Sequence, residues 1–240
     1  MIEKAFTSYI FTQLQLDILL NRSGCSKIYG MDSEYDLICV SKEQVYVELA
    51  DMVKSGVLKN VEDKFLMDDA VKNMINQMVT ANIYVHIILN EMGRRDYMCY
   101  MKEDKVLTVS RSSVRNGKVV ITELYMQDFK QYILSDIMPC REIDNKKNGD
   151  MDAGEVLVNE DKEQEMIDLY QMGILKDELK WHAKIINKSG MVMEEIYIFS
   201  EAQNLYQLML KEGKKVRTRY GLDSDKKALM SRIESAAAMV

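Results

Sequence analysis

A chain of 240 residues that is 47% hydrophobic, with a formal net charge of −6, can bury a full core, which sets aside the disordered and fibrous classes. The negative charge is shared by both halves, so neither is a basic module, and binding to nucleic acid, which draws on a cationic excess, is disfavoured. No apolar run is long enough to span a bilayer, and MIEKAFTSYIF lacks the basic start and long apolar core of a secretory signal, so a cytoplasmic protein without membrane insertion is expected.

Ala5 to Phe11 is a first strand. Thr12 and Gln15 have capping-box spacing and open a short helix with Leu14, Ile18 and Leu19. Arg22 to Glu34 reads as a loop, and Tyr35 to Val40 as a short strand. Ser41 and Gln44 repeat the cap, and Val45, Leu49, Met52 and Val53 form one helical face that Ser55-Gly56 stops. Val57-Leu58 and Phe65 to Met67 flank Asn60 to Lys64 as a small hairpin. Asp68 or Asp69 caps the next helix, whose stripe is Ala70, Val71, Met74, Ile75, Met78 and Val79, and Asn82 ends it.

Ile83 to Leu89, Tyr97 to Met101, Val106 to Arg111 and Lys118 to Leu124 then read as an antiparallel meander, with Asn116-Gly117 as a hairpin turn. Met126 to Leu134 returns to helix before Pro139, the only proline. Cys140 to Glu160 is polar and aperiodic, a linker. Beyond it come a helix over Asp161 to Met172 and strands over Leu179 to Asn187 and Met191 to Phe199. Ser200 with Gln203 is a further capping box, opening a helix with Leu205, Leu208 and Met209. Lys214 to Tyr220 is a strand whose Lys215, Arg217 and Arg219 suit a charged sheet edge, and Asp223 or Ser224 caps a last helix with Leu229, Ile233, Ala236 and Ala237.

The expected fold is therefore α+β: an antiparallel meander sheet flanked by helices, in two quasi-repeated halves, 1–139 and 161–240, joined by 140–160. Residues 41–82 form a winged-helix-like block and 83–124 the first sheet. The repeat rests on Asn73-Met74-Ile75 with Gln77-Met78 against Glu165-Met166-Ile167 with Gln171-Met172, and on Ile88-Leu89-Asn90 with Gly93 against Ile185-Ile186-Asn187 with Gly190.

Chemistry is sparse. His86 and His182 sit in apolar strand patterns with no nucleophile signature, and Cys25, Cys39, Cys99 and Cys140 have no metal-ligand spacing and read as free thiols. Asp144 to Glu155 follows an EF-hand count, but Lys146 stands where the third position needs an oxygen. No catalytic residue, cofactor or metal is expected. The winged-helix order raises a second reading, a transcriptional regulator, against which the would-be recognition helix sets Glu43, Glu48 and Asp51 against its two lysines, and the would-be wing sets Glu62 and Asp63 between Lys59 and Lys64.

The element order resembles a known family. YIFTQLQLDILLN is followed by ELADMVKSGVLKNVEDKFLMDDAVKNMINQMV, then a meander, a helix and a second half of the same grammar. This is similar to the EspG-type accessory chaperones of type VII (ESX) secretion and their relatives in Firmicutes. Its richness in Met, Tyr, Ile and Lys, where the family is rich in Ala and Leu, fits a low-GC Gram-positive source. The resemblance implies a cytosolic, non-enzymatic protein that holds a helical secretion substrate through a sheet-edge loop and a C-terminal helical bundle. The equivalent positions are Arg111, Arg115 and Lys118 in the 111–118 turn and Leu229 and Ile233 in the last helix.

Overall fold

In chain order, the computed structural model has β1 (Thr7–Phe11), α1 (Gln13–Arg22), α2 (Lys42–Lys54), β2 (Leu58–Val61), β3 (Lys64–Met67) and α3 (Asp69–Val79). There follow β4 (Ile83–Leu89), β5 (Arg95–Lys102), β6 (Lys105–Ser112), β7 (Lys118–Tyr125) and α4 (Met126–Tyr132), then β8 (Leu179–Asn187), β9 (Val192–Glu201), β10 (Asn204–Lys211) and β11 (Lys214–Arg219). The structure describes residues 6–25, 28–30, 40–62, 64–89, 95–112, 118–132, 179–201, 204–211 and 214–219, with Ser231, Ile233 and Ser235. The expected strand before Val40, the turns at 91–93 and 116–117, the linker 140–160, the EF-hand-like loop and the helix 161–172 lie outside the described residues.

Two compact units are formed, Met1–Asn82 with Met98–Tyr125, and Ile83–Tyr97 with Met126–Val240. The sequence places a boundary at 140–160. In the structure β4 belongs to the second unit, because it pairs along its whole length with β8, from Ile83↔Asn187 to Leu89↔Trp181.

In the first unit the strands run in the order β1-β7-β6-β5. β1 lies antiparallel to β7, from Thr7↔Glu123 to Phe11↔Val119, and β6 to β7, from Lys105↔Tyr125 to Ser112↔Lys118. Side chains alternate across a strand, so Tyr9, Phe11, Leu107, Val109, Val119 and Ile121 share one face. Of these all but Tyr9 are buried. On the opposite face Ser8, Ile10, Ser110, Val120 and Thr122 are half-buried or exposed, while Val106, Thr108 and Leu124 towards the other end are buried.

α1 begins on a complete capping box. Thr12 Oγ1 accepts from the Gln15 amide at 3.1 Å and the Thr12 amide donates to Gln15 Oε1 at 3.0 Å. The helix buries Leu14, Leu16, Ile18, Leu19 and Leu20, and the buried Gln13 donates to Asp17 Oδ1 at 3.1 Å. In α2 the Ser41 hydroxyl accepts from the Gln44 amide at 3.2 Å. Of the stripe expected on α2, only Met52 is buried. Gly56, at φ +78°, closes α2 in the left-handed region where a Cβ is strained. The hairpin after it is tighter than the sequence suggests, because pairing runs from Leu58↔Met67 as far as Val61↔Lys64 and so includes Asn60, Val61 and Lys64, which the sequence gives to the turn. Asp68 rather than Asp69 caps α3, accepting from the Ala70 amide at 3.0 Å, and Val71, Met74, Ile75 and Met78 form its buried stripe.

The second unit orders its strands β4-β8-β9-β10-β11, with every neighbouring pair antiparallel. Here one expectation is overturned. Residues 204–211, read as a capped helix with Leu205, Leu208 and Met209, form strand β10, paired from Asn204↔Glu201 to Lys211↔Glu194 on one side and from Tyr206↔Arg219 to Lys211↔Lys214 on the other. NLYQLMLK carries apolar residues at both helical and alternating spacings. Eight residues are too few to hold a helix without support, whereas two flanking strands pair both rows of its peptide groups. β11 is the edge strand that its charge pattern predicts. Ser231, Ile233 and Ser235 are helical, with Ile233 buried and both serines exposed.

Removing the α1 cap tests this local logic. Thr12→Ala is expected to lower the unfolding free energy by about 1 kcal/mol, while Thr12→Ser retains most of it. Urea denaturation reads both, and equal stability of wild type and Thr12→Ala would show that the cap carries no energy.

Candidate functional site

The five positions singled out by the sequence do not converge. Arg111 lies near the end of β6 and Lys118 begins β7, and both are exposed where the chain connects the two strands of that hairpin. Their registers are Arg111↔Val119 and Ser112↔Lys118, so alternation directs the two cations to opposite faces of the sheet. Ile233 is fully buried. Arg115 and Leu229 lie outside the described residues.

The most highly organised polar group lies instead in the second unit, on one face of β4, β8 and β9. His86, Lys184 and Glu195 are consecutive cross-strand partners, and Ile88, His182 and Tyr197 form the next row on that face. The opposite face carries Ile87, Ala183 and Ile196, all buried. One carboxylate oxygen gathers the group: Glu195 Oε1 lies 2.8 Å from His182 Nε2, 2.9 Å from Lys184 Nζ and 2.6 Å from the Tyr197 hydroxyl. A carboxylate only accepts, so the neutral His182 ring carries its proton on Nε2 and donates it. The ring also stacks on Tyr197, with centroids 4.2 Å apart and planes within 7°. At the partly exposed end of the row, His86 Nε2 contacts Asp96 Oδ1.

The electrostatics follow from burial. Burial raises the Glu195 carboxyl, but the donors from His182, Lys184 and Tyr197 outweigh it and hold the pKa at about 2. Burial pushes His182 below its ordinary value, more than the Glu195 partner raises it. Near neutrality the arrangement is a carboxylate and an ammonium joined by two uncharged donors, which is a structural lock between β8 and β9. It contains no nucleophile aligned with a base. Among the described residues no group of three or more His, Cys, Asp or Glu could hold a metal ion, and Cys99 is buried with its thiol pushed well up by desolvation.

Sequence reasoning took His182 as an ordinary strand histidine and did not see its partners. The obstacle is a β-bulge. Counting back from the Ser189-Gly190 turn pairs Ile186 with Val192 and would next pair Ile185 with Met193. The structure pairs Ile185 with Glu194, leaving Met193 as the extra residue. That single step brings Glu195 opposite Lys184 and Tyr197 opposite His182. One side chain ties the turn together. Asn187 Oδ1 accepts from the Ser189 amide, the Ser189 hydroxyl and the Met191 amide at 3.0, 2.6 and 3.0 Å, with Gly190 at φ +82°. It displays Met191 and Val192 to solvent.

No family model and no curated protein matches the sequence. In fold, the chain is similar to the Mycobacterium tuberculosis type VII secretion system chaperone EspG5, whose structure was solved in complex with the PE25–PPE41 dimer. The TM-score is 0.57 at 10% identity, over 96% of this chain and 95% of that one. At that identity the likeness is one of fold. No helix among the described residues is long and apolar enough to cross a membrane.

The carboxylate lock has a pH signature. Glu195 ionises more readily folded than unfolded, so its stabilisation is complete above the ordinary value of 4.5 and is lost as pH falls towards about 2. His182, depressed by burial, adds a loss in the same direction once pH drops below 6.5. Glu195→Gln is expected to remove about 2 kcal/mol at neutral pH and to flatten the stability profile on the acid side. Urea titrations in a pH series measure this, and an acid limb as steep in the variant as in the wild type would contradict it.

Proposed function

We propose that this chain is a non-catalytic chaperone or adaptor of a type VII-like secretion system, which holds a helical-hairpin substrate in the cytoplasm before export. The observation that supports this reading is the likeness of fold to a type VII secretion chaperone, which runs through nearly the whole of both chains. Element order had suggested the same family from sequence alone. A cross-strand polar group built as a lock, with no aligned nucleophile, suits a scaffold better than a catalyst.

In the same reading the meanders β4-β5-β6-β7 and β8-β9-β10-β11 are copies of one supersecondary unit. The partner contact falls at the end of the β6–β7 hairpin, where Arg111, Arg115 and Lys118 supply cations that select acidic residues at the rim of an apolar helical contact. Leu229 is the position that the expected terminal helix would set beside the substrate. Ile233, being buried, serves to dock that helix on its own body. The rival reading, a winged-helix transcriptional regulator, gains nothing from the fold comparison. The exposed positions of α2 set Glu43 and Asp51 against Lys42 and Lys54, beside Tyr46 and Val47, so the helix offers phosphate no cationic excess.

Co-expression with small helical-hairpin proteins encoded at the same locus, followed by affinity purification, tests the proposal. A stable complex is expected with at least one of them. The triple charge reversal Arg111→Glu, Arg115→Glu, Lys118→Glu is expected to cut the retained partner by about tenfold through loss of rim attraction. A monodisperse chain that retains none of these proteins would refute the function. Retention by wild type and triple variant alike would refute only the hairpin end as the contact.

A further inference from the structure

The two outermost strands, β1 in the first unit and β11 in the second, differ in how they are guarded. An unpaired sheet edge offers a row of N–H and C=O groups to any extended chain, and proteins blunt such edges with charge, proline or bulges. β11 reads Lys214, Lys215, Val216, Arg217, Thr218, Arg219, four cations in six residues. β1 reads Thr7, Ser8, Tyr9, Ile10, Phe11, with no charge and no proline, and its register with β7 runs without a break. Among the described residues β7 is its only neighbour. Thr7, Ser8 and Ile10 are exposed, as is Phe6 just before the strand.

We infer that β1 is a strand-pairing site whose occupant is β1 of a second copy, joined antiparallel about a two-fold axis through Tyr9. The open edge calls for an extended backbone, because only a strand can match successive donors and acceptors. The choice of a second copy rests on self-complementarity. With Tyr9 on the axis, Ser8 lies opposite Ile10 and Thr7 opposite Phe11, so no like charges meet, and the interface repeats itself as a two-fold contact must. Phe6, Ser8 and Ile10 share one alternation, and each Ile10 becomes the diagonal neighbour of its symmetry mate, which covers apolar surface now open to water. Had the same pairing been attempted by β11, Lys215, Arg217 and their symmetry mates would face one another across the seam.

A five-residue seam is small, so the dimer is a weak one, visible at about 10–100 µM rather than at nanomolar concentration. Sedimentation velocity on the intact chain over that range is expected to show reversible self-association. Ile10→Lys, which gives β1 the kind of guard that β11 carries, is expected to weaken association about tenfold. Ser8→Lys serves as the second variant, since Ser8 is exposed and its hydroxyl lies 3.2 Å from that of Thr122 at the surface. Circular dichroism melts confirm that the variant compared is folded. A wild-type chain that stays monomeric throughout, including one that instead binds an extended segment of another protein, overturns the inference. So does a dimer that a folded lysine variant leaves unchanged.

Discussion

Backbone pairing between antiparallel strands is the constraint on which both units rest. Peptide groups that leave water need partners, and here the ladders supply them over nearly every strand residue described: β1 with β7, β6 with β7, and β8 with β4 on one side and β9 on the other. Helices are added where local caps allow, and they bury their apolar stripes unequally: α3 buries Val71, Met74, Ile75 and Met78 but leaves Ala70 and Val79 exposed, whereas α2 buries Met52 alone. The same requirement decides the fate of residues 204–211, where an ambiguous pattern yields to two available partners.

Much of this is legible in the sequence, and the reasons are local. Thr12 with Gln15 and Ser41 with Gln44 announce helix starts because cap geometry involves only residues three apart. Ile83 to Leu89 reads as a strand because an apolar, largely β-branched run interrupted only by His86 has few other uses. What escapes the sequence depends on register. The Glu195 group cannot be assembled by counting, because the bulge at Met193 changes which residues face each other. The two cations Arg111 and Lys118 look like neighbours in a short turn, yet alternation separates them onto opposite faces. Ile233 shares an apolar helical stripe with Leu229, Ala236 and Ala237 in the sequence, and its burial is what such a stripe serves rather than contact with a partner.

The Glu195 group also shows how a polar cluster can be mistaken for chemistry. Histidine, lysine, tyrosine and glutamate within hydrogen-bonding distance would satisfy many searches for a catalytic centre. Their arrangement argues otherwise: three donors converge on one oxygen, so that oxygen has little basicity left to offer, and the histidine that would relay a proton is buried and uncharged. What the group provides is specificity of register. A one-residue slip of β9 against β8 would strand a buried histidine and a carboxylate without partners, at a cost of several kcal/mol.

The pairing of β4 with β8 has a consequence for how the chain is made. The meanders are built from neighbours in sequence, but Ile83 to Leu89 must wait for a partner roughly 90 residues further on, which at typical ribosomal rates is a delay of about 5–20 s. During that interval IYVHIIL, the most apolar strand of the protein, lacks the neighbour that pairs its whole length. Long-range closure of this kind is slow even after synthesis, since loop entropy is spent before the contacts form. The nascent chain therefore passes through a stage in which its own hydrophobic strand needs protection from other chains.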